Sequence, residues 1–472
     1  MKTKIITFLL VTFVSFILYW YKLPDSLTIN TDYGKDLYNI AKLFRGNFTL
    51  LGPALSAGIF AGPYYYYLML PSLVISSLNP YSIALTGSIL FSASVGILYL
   101  IFAKKYGHWQ SAISAFSLGI SPLFVMAARE PANGLMYLPI MLIIMGIIHF
   151  KTTFSELTVS MLGFLVGIIL NFDTVSILGL LPLSIYLFSK IKFPKILLFI
   201  FFVAITYLPL IVFEVKNDFV ITKGIFINKN YQTFVKNDNV EGAISGTSNL
   251  TKNYSLISNR VSKQVGMTPL LVIMLLVIMN LFSKSSTSNK FGLILTTAGS
   301  LLLTVVIIRF KLEFHYLFPV SLLMIFSLTE LTVSTGKIWI IALLPIVFLS
   351  NFPTERYKTS TRTFSAFENA VNLTIEQNLV KKNTPFNVLA ITDKHLYVPI
   401  GNEYRFFYLK RGFAPLDEYH YPDSKLLLIF SEIGDYDIST IGAWELDQFG
   451  KKYLTVAKKY STDQVVVYKV EK

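Results

Sequence analysis

The sequence contains no cysteine. Disulfide cross-links, thiolate nucleophiles and cysteine-ligated metals are therefore excluded, and nothing follows about compartment. There is also no glycine-rich phosphate loop, no Ser-His-Asp arrangement and no zinc-ligand spacing. Repeats are absent, and the only biased tract is a Ser-rich loop at 283–289. Charge is scarce as well: 14% of residues are charged and 53% hydrophobic, with mean hydropathy +0.58. A soluble chain of 472 residues could not hide so much apolar surface, so its solvent is lipid.

What is present is a series of uncharged apolar runs at about 5–21, 81–103, 109–128, 133–150, 157–172, 174–189, 195–213, 267–283, 290–308, 316–333 and 337–350. Most approach the ~20 residues that a helix needs to cross the hydrocarbon core. A twelfth run, 64–79, is short and crowded by Pro63, Tyr64 to Tyr67 and Pro71. The first run starts with Lys2 and Lys4, but no small-residue cleavage site precedes Tyr19-Trp20-Tyr21. It reads as a retained span with an aromatic belt.

The net charge is +14, yet the basic residues are placed for a membrane and not for nucleic acid. Lys2, Lys4, Lys104, Lys105, Lys151, Lys190, Lys192, Lys195, Lys284, Lys290 and Lys337 all sit in short loops or ends beside spans. With 64–79 counted as a full span, several of these clusters would face outward. With 64–79 as a juxtamembrane helix, every one faces the cytoplasm, which the positive-inside rule favours. The expected fold is an all-α polytopic membrane bundle of about eleven spans, N-terminus cytoplasmic, in the plasma membrane. Residues 1–350 form the membrane domain, with outer segments at 22–80 and 214–266. Residues 351–472 are richer in charge and carry strand-like runs at 387–391, 426–430 and 465–468 behind a helical pattern at about 362–380. They are expected to form a small extracytoplasmic α/β domain.

This topology gathers nearly all acidic residues on the outer side. The first outer segment reads Asn30-Thr31-Asp32-Tyr33-Gly34-Lys35-Asp36, and Leu37, Ile40, Ala41 and Phe44 follow at helical spacing. An amphipathic helix lying on the bilayer is expected, with Asp32 at its start and Asp36 one turn on. A purely structural reading has Asp32 capping the helix and Asp36 paired to Lys35 or to solvent. Capping does not account for the continuation Leu51-Gly52-Pro53 and Phe60-Ala61-Gly62-Pro63-Tyr64-Tyr65-Tyr66-Tyr67.

A first span, an acidic juxtamembrane helix, a Gly-Pro stretch and a short aromatic helix together resemble the GT-C glycosyltransferases. The nearest groups are the family-39-like enzymes, including protein O-mannosyltransferases, and the lipid A aminoarabinose transferases. The resemblance covers roughly residues 1–350, including the long outer loop 214–266 between the seventh and eighth spans. It implies transfer of a sugar, with inversion, from a polyprenyl-phosphate donor to a hydroxyl acceptor on a protein, glycan or lipid. A first-loop acid is then the general base. Asp32 matches the leading acid of the family's Asp-Glu pair; Tyr33 stands where Glu is frequent, so Asp36 is the second candidate. The aminoarabinose transferases carry a Lys before the aromatic helix, whereas Gly62-Pro63-Tyr64 here has none.

The chemistry asks for cations that take up phosphate charge and a carboxylate within reach of a hydroxyl. Arg129, Arg309, Lys311 and His315 lie at the depth expected for donor-phosphate contacts. Alternatively, Arg129 anchors at the headgroups beside Glu130, and His315 is satisfied by Glu313 or water. Glu130, Glu214 and Tyr64 are candidate acceptor or loop-ordering contacts. A divalent metal at Asp32 and Asp36 would need ligands that the sequence does not identify. A transporter would require polar groups near mid-membrane and paired repeats, which are missing. The runner-up is a polymerase or ligase using polyprenyl-diphosphate glycans. A receptor reading rests on the C-terminal residues alone.

Overall fold

The computed structural model describes residues 2–55, 59–227, 244–245, 250–282, 287–307, 311–312, 314–392, 400–456 and 458–472. It divides into two compact units. One comprises Met1–Leu23, Thr49–Tyr65 and Ala84–Tyr357; the other comprises Pro24–Phe48, Tyr66–Ile83 and Lys358–Lys472. Much of the first outer segment, expected at 22–80 with the membrane domain, thus clusters with the C-terminal residues.

The first unit is helical because its sequence is apolar run after apolar run. Among the described residues, Lys2–Ser26, Ser82–Phe102, Asn133–Phe150 and His315–Ser334 are each long and apolar enough to cross a membrane. Three further pairs pass only if a bend is allowed: His108–Gly119 with Pro122–Ala128 (60°), Phe193–Ile205 with Leu208–Lys216 (50°), and Leu250–Val265 with Pro269–Asn280 (66°). In each pair Pro122, Pro209 or Pro269 occupies the first or second position of the later helix. Proline is tolerated there, while it cannot continue a preceding helix without losing a hydrogen bond. Glu156–Phe172, Thr174–Phe188, Phe291–Ile307 and Ile338–Ser350 are shorter apolar helices. These four, the three pairs and the four single spans account for all eleven apolar runs, although only four to seven meet the length and composition of a span. Tyr64–Ile75 is a twelve-residue helix, shorter than a span needs.

The helix Phe318–Ser334 is buried along its whole length, so it forms the centre of the bundle. Glu330, on this helix, is only 1% exposed.

The second unit is built on a four-stranded sheet: β1 (Phe386–Ile391), β2 (Leu426–Ser431), β3 (Lys458–Ser461) and β4 (Val466–Glu471), in the order β1-β2-β4-β3. β1 and β2 pair in parallel, and the remaining pairs are antiparallel. A parallel pair needs a crossover, here provided by the helix Asn402–Lys410. Both faces of β1 and β2 are buried, as their unbroken apolar runs require. On one face Leu389, Ile391, Leu427, Ile429 and Val470 pack with Leu446 and Phe449. On the other, Tyr404 stacks on Phe430 with ring centres 4.0 Å apart, and Tyr408 meets Phe386 at 5.0 Å. The α/β character expected from the sequence is what the strands and helices form.

Candidate active site

The helix Thr31–Phe44 carries both first-loop acids. Its cap is Asn30 and not Asp32: the Asn30 side chain accepts the Tyr33 N–H at 2.8 Å. Asp32 is left in the first turn, exposed to solvent. The apolar face does not lie open for a bilayer. Leu37, Ile40 and Ala41 are fully buried and the helix packs against Asn402–Lys410, while Phe44 is 45% exposed. Tyr33 donates its hydroxyl to the Pro80 carbonyl at 2.9 Å and lies 5.6 Å from the Phe364 ring.

Asp36 faces inward and is 4% exposed. It pairs with neither Lys35 nor solvent; it accepts the Tyr66 hydroxyl at 3.0 Å, and that hydroxyl accepts from Asn39 Nδ2 at 3.2 Å. Burial pushes the Asp36 carboxyl up to about 8, although the Tyr66 hydrogen bond pulls the other way. A carboxyl sealed in this manner is mostly protonated at neutral pH. The two acids, interchangeable in the sequence, differ in the one property a base needs, which is access.

The first unit holds the remaining candidates. Arg129 is 3% exposed and ends the helix Pro122–Ala128. Its Nη1 donates to the carbonyls of Tyr19 and Tyr21, each at 2.8 Å, and Nε and Nη2 donate to the Arg356 carbonyl at 3.2 and 3.1 Å. The guanidinium also lies 3.8 Å from the centre of the Tyr357 ring. It therefore closes the carbonyl end of the first span, where a cation opposes the helix dipole. Glu130 pairs not with Arg129 but with Arg356, at 3.0 Å.

Glu214 accepts the backbone N–H groups of Ile221 and Thr222, both at 2.9 Å, and so orders the turn into the helix Val220–Phe226. Tyr64 donates to the Thr206 carbonyl at 2.7 Å, at the bend between Phe193–Ile205 and Leu208–Lys216. Its neighbour Gly62 donates to the Asn171 carbonyl at 3.0 Å. A Cβ on Gly62 would meet Asn171 Oδ1 at 2.1 Å, so glycine is what permits this approach.

His315 Nε2 lies 4.0 Å from Asp173 Oδ2, with side chains 35% and 6% exposed. Both stand over Gly134, whose added Cβ would be 3.2 Å from Asp173 Oδ2 and 3.5 Å from His315 Cδ2. Asp173 also caps the turn Thr174–Ser176 by accepting the Val175 N–H at 3.0 Å. Asp173 is not among the candidates read from the sequence; the available signal is an acid directly after an apolar run. Lys311 lies in a two-residue strand, Lys311–Leu312, paired with Ile244–Ser245. Arg309 lies outside the described residues, as does Glu313. Among the described residues no group of three or more His, Asp or Glu could hold a metal ion.

No protein-family model matches the sequence, and no curated protein matches it. Solved structures do. The ArnT of Cupriavidus metallidurans bound to undecaprenyl phosphate is 11% identical, with TM-score 0.61 over 98% of this chain and 97% of that one. Its apo form matches at 10% identity with the same score and coverage. The archaeal oligosaccharyltransferase AglB from Archaeoglobus fulgidus, in complex with an inhibitory peptide and a dolichol-phosphate, is 11% identical. There the TM-score is 0.51 over 98% of this chain and 74% of AglB. Over nearly its whole length, this chain has the fold of these GT-C superfamily proteins, as the resemblance in its first outer segment implied.

Proposed function

We propose that the protein is an integral membrane glycosyltransferase that moves a sugar from a polyprenyl-phosphate carrier to a hydroxyl acceptor on the outer face. The observation that carries this reading is the exposed Asp32 in the first turn of a capped helix, within a chain that shares its fold with carrier-bound ArnT. Asp32 removes the acceptor proton as the acceptor oxygen attacks the anomeric carbon. The bond from that carbon to the phosphate oxygen breaks, the configuration inverts, and polyprenyl phosphate leaves with the electron pair. His315, held beside Asp173, and Lys311 and Arg309 are the groups assigned to the phosphate. Arg129, engaged with helix-end carbonyls, takes a structural part. Asp36 supports the helix through Tyr66. The acceptor is a protein, a glycan or a lipid.

The likeness to AglB, an oligosaccharyltransferase, supports a second reading, in which the carrier delivers an oligosaccharide. The test is transfer from a panel of radiolabelled polyprenyl-phosphate sugars in membranes carrying wild type, Asp32→Asn or Asp36→Asn. Loss with Asp32→Asn alone is expected. Normal transfer by that variant removes Asp32 as the base, and transfer only from donors that carry an oligosaccharide selects the second reading. Labelling an Asp32→Cys variant of this cysteine-free chain with a membrane-impermeant maleimide checks the outward orientation.

A further inference from the structure

The segment that carries Asp32 is clasped at both ends by residues of the C-terminal region. Arg362 donates Nε and Nη2 to Glu432 at 2.6 and 2.9 Å, and Nη2 to Glu403 at 2.9 Å. Its Nη1 donates to the carbonyl of Ile29, the residue before the helix cap Asn30, and the Ile29 N–H donates back to the Arg362 carbonyl at 3.4 Å. Glu403, buried completely, lies directly beneath Gly34 in the first turns of the Asp32 helix. At the far end Arg45 donates to the carbonyl of Leu409.

Packing alone does not call for this arrangement. A half-buried guanidinium shared by two carboxylates, one of them fully buried, is costly to desolvate, and apolar residues of similar volume stabilise a fold as well or better. What the planar fork supplies is orientation, because its donors leave in fixed directions. Here those directions meet one backbone carbonyl of the Asp32 segment and two carboxylates anchored on the sheet unit, Glu403 in the crossover helix and Glu432 directly after β2.

We propose that Arg362, acting with Glu403, is a positioning residue for Asp32. The C-terminal region is then a part of the transfer machinery that holds the base in place, and not an appended module. This rests on the reading of Asp32 as the general base. Asp32 itself remains exposed, so the clasp fixes the backbone beneath the carboxylate without occupying it.

The experiment compares Arg362→Ala, Arg362→Lys and Glu403→Gln in the full-length protein, at a temperature where each stays folded. Arg362→Ala is expected to lower kcat by about 100-fold, the loss that a misplacement of about 1 Å produces. The donor KM should be unchanged. Lysine should restore little, and added guanidinium should restore part of the rate to the alanine variant. In parallel, spin labels at Asp32→Cys and Lys381→Cys report the distance between the helix and the C-terminal region in the parent and in Arg362→Ala. A narrow distribution that broadens on loss of Arg362 supports the clasp even if no donor sugar is transferred, an outcome that would fault the transferase reading and not the clasp. An unchanged distribution, or a rate that falls only in proportion to unfolded protein, overturns it.

Discussion

A Cβ placed on Gly34 would lie 2.5 Å from Cγ of Glu403, a separation that no relaxed pair of carbon atoms adopts. The helix Thr31–Phe44 and the helix Asn402–Lys410 therefore meet at a position where only hydrogen fits. Glu403 is itself fully buried, and Arg362 holds its carboxylate at 2.9 Å, so it does not swing aside freely. Gly34→Ala is expected to destabilise the second unit by about 1–3 kcal/mol, the usual cost of overpacking, despite the better helix propensity of alanine. Thermal unfolding of the purified protein in detergent measures it. A melting temperature equal to that of wild type would mean that the two helices separate freely.

Asp36 makes stability depend on pH in a defined direction. Its carboxyl stands at about 8 in the folded protein against 3.8 for the ordinary group, chiefly because it is buried. The folded state thus binds the extra proton. The stability this contributes is complete below about pH 4 and is lost as pH rises through about 8. Asp36→Asn should flatten that fall between pH 4 and 8, and Tyr66→Phe should carry it to still higher pH by removing the hydroxyl that favours the carboxylate. Melting temperatures across this range decide the matter. Equal slopes for wild type and Asp36→Asn would show that the site is open to water.

Arg129→Ala is expected to cost folded protein and not donor affinity. The substitution leaves the Tyr19 and Tyr21 carbonyls at the end of the first span without their cation, and hydrogen bonds from a charged donor contribute about 1.5–3 kcal/mol each. Yield of monodisperse protein should fall, while the surviving fraction binds polyprenyl phosphate as wild type does. A selective loss of that binding with an unchanged melting temperature would return Arg129 to the phosphate site.

Composition and periodicity determined a good deal by themselves. Eleven uncharged apolar runs became eleven helices or bent helix pairs, since an apolar segment in lipid has no other way to satisfy its backbone. The continuous apolar runs near 387–391 and 426–430 became strands buried on both faces. The acidic first segment became a helix, and its order with the Gly-Pro stretch and the aromatic helix pointed to the fold that ArnT also has.

What only the tertiary structure decided is which groups meet. Asp32 and Asp36 are one helical turn apart in a sequence that treats them alike. Their spacing puts them on nearly the same helix face, so what separates them is what lies over each turn: Tyr66 covers Asp36, while Asp32 in the first turn stays exposed. Arg129 and the carbonyls it caps are separated by more than one hundred residues, and Arg362 lies more than three hundred residues from Ile29. Local pattern carries no trace of such distances. Hydrogen bonds and burial depend on what the folded chain brings within about 3 Å, and that is set by the packing of whole helices and strands.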